Sequence, residues 1–306
     1  MKQFLTTLTA LALFVPLRLS AEEIAPAPAK GRPASALVSL KLDAAATGHT
    51  PFKARGLSAG GISVTQAAVG ITVPLPPLGE GTYPSVGLDY REYSLDRDAN
   101  TPLPDRLKSL KAQFTVVRVL NPDWTLIAST GMGVHEAGST FSSRGLGVGA
   151  LAIANRKISP TFDAGFGAVY DSLANGTGRM LPVATFEWRA APEWRVFLGF
   201  PRTGAAWQVN PGVSLELVAE ADFGSFHVQD DPLPAGTGKP ALNRTRLEYQ
   251  ALRVGLAGAW QLTPHRSLRV TAGAVPLLNA DYHRRHYKLS SERAAPFVSF
   301  ALEQKL

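Results

Sequence analysis

From about residue 34 to the last residue, apolar and polar positions alternate one by one, in runs separated by turns. In the Leu247–Leu262 run, Leu252, Val254, Leu256, Trp260 and Leu262 share one parity, while Arg253, Gly255, Ala257, Ala259 and Gln261 take the other. In 212–222, Val213, Leu215, Leu217, Ala219 and Ala221 oppose Glu216, Glu220 and Asp222. In 181–190, Ala184, Phe186 and Trp188 oppose Thr185, Glu187 and Arg189, and in 83–93, Val86, Leu88 and Tyr90 oppose Asp89 and Arg91. A period of two puts the two sets on opposite faces of extended strands. One face is oily, and the other is small, polar or charged.

The connections are of two kinds. Asn121-Pro122-Asp123-Trp124, Ala191-Pro192-Glu193-Trp194, Asn210-Pro211-Gly212, Thr263-Pro264-His265-Arg266 and the looser Ser159-Pro160-Thr161 are tight turns, in which proline presets φ for the first central position. Longer, more polar segments alternate with them: Ala44 to Gly60, Asp96 to Arg106, Ala137 to Ser143, Ser172 to Arg179, Gln229 to Asn243 and Arg284 to Ala294. The pattern predicts fourteen strands, at 34–44, 61–73, 82–95, 109–120, 124–136, 144–155, 161–171, 180–190, 194–200, 204–209, 212–229, 244–262, 266–283 and 294–304. If 194–209 is one kinked strand, the alternative is twelve.

Alternation alone fits a half-buried soluble sheet as well as a barrel. Three features favour the barrel. The runs suit a tilted membrane crossing of about 9–11 residues. Trp124, Trp188, Trp194, Trp207 and Trp260 lie at or close to short turns, as an interfacial girdle would. The inner parity, rich in charge and glycine, is a poor soluble core but an acceptable lumen. The expected fold is therefore all-β: an antiparallel up-and-down transmembrane β-barrel with short periplasmic turns and longer extracellular loops. An even strand number puts both ends of the barrel domain on the periplasmic side. The last strand, with Val298, Phe300 and Leu302 on its apolar face, pairs with the first and leaves no edge. It resembles the terminal signal read by the outer-membrane assembly machinery, with Leu306 in place of the usual Phe and Gln304 where a further apolar residue would stand.

The N-terminus adds a destination. Lys2, the apolar stretch Phe4 to Val15 and the small exit Ser20-Ala21 read as a cleavable signal peptide over 1–21, with an apolar segment too short for a transmembrane helix. Residues 22–33 form a Pro/Ala-rich periplasmic linker, and 34–306 the barrel in the outer membrane. The absence of cysteine excludes a disulfide scaffold and thiolate chemistry. The formal charge of +7 invites nucleic acid, but the basic residues do not cluster and no nucleic-acid partner is expected. Attraction to lipid and lipopolysaccharide phosphates is the reading of that charge.

Candidate chemistry is sparse. His135-Glu136 lacks the second histidine of an HExxH motif, since Ser139 stands there. His135, His227, His283, Asp171, Asp222, Asp230 and Asp231 are the acid–base candidates for a rim hydrolase, yet their spacing selects no nucleophile or base, so neither a catalytic residue nor a metal or other cofactor is assigned. His283, Arg284, Arg285 and His286 form a loop candidate for binding an anion such as lipopolysaccharide phosphate. Gly145, Gly147 and Gly149 sit inside a strand parity, where glycine gives lumen space or close strand contact rather than a phosphate loop. The expected lumen residues are Asp89, Arg91, Lys111, Asp163, Glu187, Arg189, Glu216, Glu220, Asp222, Arg253 and Arg269.

The chain resembles Gram-negative outer-membrane β-barrel proteins over nearly its whole predicted mature length. The stretch LPVATFEWRAAPEWRVFLGFPRTGAAWQV, Leu181 to Val209, is similar to part of a family of outer-membrane β-barrels of unknown function. There a strand ends in a proline turn, and the next carries a Gly-aromatic-Pro step. This resemblance implies the barrel but neither substrate nor catalytic residues. The leading expectation is a passive pore for small solutes, since about fourteen strands leave room for a channel where about eight fill with side chains. The alternatives are a structural or surface-interaction barrel and, third, a rim hydrolase. A polar lumen without a plug favours the pore. A lumen closed by salt bridges or by the linker favours the structural barrel.

Overall fold

The computed structural model describes residues 37–174, 179–233 and 239–306, together with the backbone of Leu17 and Arg18. Apart from that pair, the expected signal peptide and linker lie outside the described residues. The alternating runs form one closed antiparallel sheet of fourteen staves. In chain order they are β1 (Ser39–Ala54), β2 (Leu57–Pro74), β3 (Thr82–Arg97), β4 (Arg106–Asn121), β5 (Trp124–Ala137), β6 (Leu146–Ser159), β7 (Phe162–Asp171), β8 (Met180–Ala191), β9 (Trp194–Gly199), β10 (Arg202–Asn210), β11 (Val213–Val228), β12 (Thr245–Thr263), β13 (Arg266–Tyr282) and β14. The last is a single stave in two pieces, Tyr287–Ser291 and Ala295–Lys305, both paired with β13 and β1. Closure runs through Phe297↔Thr47 to Lys305↔Ser39. On the other side, β1 and β2 pair directly from Thr50↔Ile62 to Ala54↔Leu57, and further along Leu17 pairs with both Leu42 and Ala68.

The lipid-facing parity is exposed and apolar: Leu88, Phe166, Phe186, Leu217 and Leu256 all project outward, Leu256 with 69% of its surface free. All five tryptophans lie within about one turn's reach of the rim where the tight turns gather. There Trp194 stacks on Trp207 at 6.2 Å, and Arg156 covers Trp124 at 5.5 Å. Four of the five proline turns share a local cause. A side-chain oxygen just before the proline accepts from the backbone two residues on: Asn121 Oδ1 from Asp123 N (3.0 Å), Asn210 Oδ1 from Gly212 N (2.9 Å), Ser159 Oγ from Thr161 N (3.2 Å) and Thr263 Oγ1 from His265 N (3.3 Å). These contacts reproduce a backbone turn with side-chain atoms.

The structure corrects two expectations and decides between two others. Ala44 to Gly60 is not a long connection. It holds the rest of β1, a two-residue turn at Arg55-Gly56 and the start of β2. Both turn residues have positive φ, 52° and 82°, the conformation that matches strand twist in a tight hairpin. Phe200-Pro201 is a short connection on the rim of long loops, so 194–209 is two strands as the fourteen-strand reading has it, and the twelve-strand alternative falls. Gly145 precedes its strand, in a 3₁₀ turn (Ser143–Gly145). Of the other two glycines, Gly147 leaves space for a loop residue, since a Cβ there would meet Leu173 at 2.7 Å.

The core of the barrel sits inside its loop-rim half. Phe52, Ile62, Tyr93, Leu107, Phe226 and Leu278 belong to a continuous buried apolar cluster. Two loops fold in to complete it, with Leu103 and Leu242 both fully buried. Tyr282 Oη donates to Pro102 O at 2.9 Å and holds one of these loops down.

Candidate functional site

Beneath the apolar cluster the interior becomes charged. Arg91 on β3 donates to Asp222 on β11 (Nη1 to Oδ1, 2.9 Å), although these strands are not neighbours in the wall, so the contact spans the lumen. Asp222 also accepts from Tyr93 Oη at 2.9 Å and, through Oδ2, from Arg253 Nη2 at 3.1 Å. Arg253 in turn bonds the side-chain oxygen of Gln66. Asp222 and Arg253 are each only 5% exposed. Tyr93 ties this tier to the one above, because its ring packs on Tyr249 and edge-on against Phe226.

Nearer the turn rim, Glu216 is held by both Arg202 and Arg269. Arg269 reaches it across β12, whose inward residues at that level are Ala257 and Ala259. Arg189 pairs with Asp163 and Glu187, each at 2.8 Å. Asp89 stands opposite Lys111 in the β3–β4 register, and Glu220 opposite Arg253 in β11–β12. A cavity of about 30 Å³, lined by Gln66, Glu220, Arg253 and Thr271 among others, lies between these tiers. It would hold about two waters. Closer still to the turn rim, inward side chains are half-buried rather than packed: Gln113, Thr115, Ser129, Asn155, Thr185 and Arg195.

All eleven residues expected at the lumen thus have a position. Asp222, Arg91 and Arg253 meet in one network, Glu216 and Arg269 in a second, and Asp163, Glu187 and Arg189 in a third. Asp89, Lys111 and Glu220 stand beside them. Sequence reasoning missed Gln66, Tyr93 and Arg202. A lone glutamine in the Ile62–Val73 run, whose other polar residues are only Ser63, Thr65 and Thr72, was a usable signal. Arg202 lay in the ambiguous stretch, where parity had no reference.

A fourth polar group lies at the mouth. Glu136, 1% exposed, accepts from Ser142 N at 3.2 Å and from the Ser142 hydroxyl, and faces His227 Nδ1 at 3.1 Å. The serine hydroxyl is bonded to the carboxylate rather than to an imidazole, so this trio lacks the contact that would activate a nucleophile. His135 packs edge-on against Phe226. Asp171 accepts from Leu173 N and Ser225 Oγ. Of the basic loop, His283, Arg284 and His286 are exposed, while Arg285 is half-buried and donates to Asn243 O at 3.0 Å. Among the described residues no cluster of potential metal ligands occurs.

Asp231 organises the 229–244 loop through Lys239 Nζ (2.8 Å), Leu242 N (2.9 Å) and Leu233 N (3.2 Å). Burial pushes its carboxyl up. The ammonium and the two backbone N–H groups outweigh that and hold it below the usual carboxylate range. A depressed folded pKa means that the tether is fully present above the ordinary carboxylate pKa and is lost as pH falls through the lower folded value. Protease cleavage in 229–244 is therefore expected only in strong acid for the native chain, but already at neutral pH for Asp231→Asn. Equal cleavage of the two at pH 7 would remove Asp231 from this role.

The family described as "Domain of unknown function (DUF6268)" matches residues 82–299. No curated protein matches the chain. Among solved structures, the COG4313 outer membrane channel from Pseudomonas putida F1 covers 93% of this chain and 100% of its own, with a TM-score of 0.52 at 10% identity. A FadL homologue of Pseudomonas aeruginosa (TM-score 0.44, 11% identity, 88% and 89% covered) and the toluene transporter TodX of Pseudomonas putida (0.37, 10%, 89% and 90%) are more distant. At such identities the likeness is one of fold: the outer-membrane β-barrel.

Proposed function

The chain belongs to the DUF6268 family, and from that premise and the interior geometry we propose that it is an outer-membrane channel for small polar solutes, shut in the arrangement described. The family description names no activity, so the reading rests on the lumen. The carrying observation is the half-buried, hydrophilic interior on the turn-rim side, where Arg189, Asp163, Glu187 and Arg195 line a wall of fourteen staves. A barrel built only as a wall fastener would gain from filling that volume with apolar side chains. Both signs of charge are present, which fits weak rather than strict ion preference. The tight turns and both ends of the barrel domain face the periplasm in this reading, and His283, Arg284 and His286 meet lipopolysaccharide phosphate outside. The fold, shared with the COG4313 outer membrane channel of Pseudomonas putida F1, supports a channel over an enzyme.

A second reading, the non-conducting structural barrel, is favoured by the apolar cluster and the ion pairs that cross the lumen. Single-channel recording separates the two. Mature protein is refolded in detergent, checked by its heat-dependent gel shift and added to a planar bilayer. Discrete, repeated conductance steps are expected. Silence from demonstrably folded protein would leave the structural barrel.

A further inference from the structure

We propose that the upper part of the β11–β12 hairpin is the gate of this barrel, closed onto β5 by a latch of Glu136, His227 and Ser142. The inference rests on the channel reading and adds to it the moving part.

The wall is low beside this hairpin. β9 and β10 have 6 and 9 residues, whereas β11 and β12 have 16 and 19. The β10–β11 ladder ends at Arg202↔Glu220, with one last bond from Ala221 N to Pro201 O at 2.8 Å. Beyond Ala221, β11 has β12 on one edge and, among the described residues, no neighbouring wall strand on the other. Its edge finds a partner across the mouth instead: His227 pairs with Glu136 and Val228 with Ala137, in parallel. β5 lies six places away around the wall, so this pairing pinches the barrel shut.

The hairpin also carries much of the plug. Phe226 and Val228 of β11 and Leu247 and Tyr249 of β12 belong to the apolar cluster. Its other face is polar and buried, with Ser225 on Asp171 at 3.3 Å and His227 on Glu136 at 3.1 Å. β11 and β12 pair with each other continuously from Val213↔Trp260 to Val228↔Thr245, while β12 is laddered to β13 only as far as Glu248↔Asp281, so the upper hairpin would move as one body about its β13 edge. The main-chain link to β5 is two residue pairs long, and the latch is one carboxylate with its two partners. Swinging the hairpin outward would withdraw plug and latch together. A single wall-bound strand could not do so.

The chain has no cysteine, which makes a reversible lock clean. Ala137→Cys with Val228→Cys places two thiols on directly paired positions, within the Cα separation that a disulfide accepts. The full mature protein is recorded in planar bilayers, oxidised and then reduced, with bridge formation read from gel mobility after thiol blocking. Oxidation is expected to abolish the conductance steps and reduction to restore them. Glu136→Gln, which weakens the latch without adding bulk, is expected to raise the open probability about tenfold, the factor carried by loss of one hydrogen bond to a charged group. Oxidised protein that conducts like reduced protein overturns the gate and leaves the channel standing. Should the double variant lack the heat shift of a folded barrel, Glu136→Gln decides alone, and an unchanged open probability overturns the gate. If the native chain, Glu136→Gln and the reduced double variant are all folded and all silent, the channel reading fails and the gate with it.

Discussion

Asp222→Asn is expected to lower the stability of the barrel by about 3–5 kcal/mol, the usual cost of breaking a buried ion pair from one side. The carboxylate accepts from Arg91, Arg253 and Tyr93 at once. Asparagine keeps the shape but removes the charge, and it can no longer receive from all three. Arg253 is then left buried with its nearest anion gone, and a charge in that position cannot recover its lost hydration. The midpoint of urea unfolding, followed by the gel shift in fixed lipid, measures the loss. The mechanism has a sharper consequence. Replacing its three charged members together, Asp222→Leu with Arg253→Met and Arg91→Met, should recover most of the stability, because neither arginine is left as a buried charge without Asp222. A single variant that unfolds with the native chain would mean that water reaches this tier freely.

Leu256→Arg tests the other face. Leu256 lies well inside β12, is 69% exposed and has exposed apolar neighbours on the same parity, such as Val254 and Leu217. In water, arginine at an exposed strand position would change stability by no more than about 0.5 kcal/mol. Against hydrocarbon near the bilayer midplane the same change costs about 2–4 kcal/mol. The substitution therefore reports which solvent meets the oily parity. Folding yield into lipid vesicles should drop and the unfolding midpoint shift accordingly. A neutral result would be fatal to the lipid-facing assignment of that strand.

Much of the barrel is written in short-range order. In β12 every second residue from Thr245 to Ala257 is buried and those between are half-buried or exposed, as a period of two requires when the two faces meet different media. The turns at Asn121, Ser159, Asn210 and Thr263 are legible because one side-chain oxygen and one proline suffice to make them. The reading failed at Ala44 to Gly60, where Gly48, His49 and Pro51 resemble loop residues. The structure keeps them in β1, and the β1–β2 register shifts beside Pro51, which has no N–H to give to a ladder.

The sequence by itself determined the all-β pattern, the positions of the proline turns and which parity turns inward, since each depends on neighbours a few residues apart; it left fourteen strands beside twelve, and the short Phe200-Pro201 connection decided for fourteen. Only the tertiary structure decided which inward groups meet. Arg91 and Asp222 are 131 positions apart, and Glu136 and His227 are 91 apart. Parity assigns each a face. Their meeting depends on depth along the barrel, on where each strand stands around the wall, and on the inward lean of β11 above the short β9 and β10. Those are properties of the closed sheet as a whole, and no local pattern encodes them.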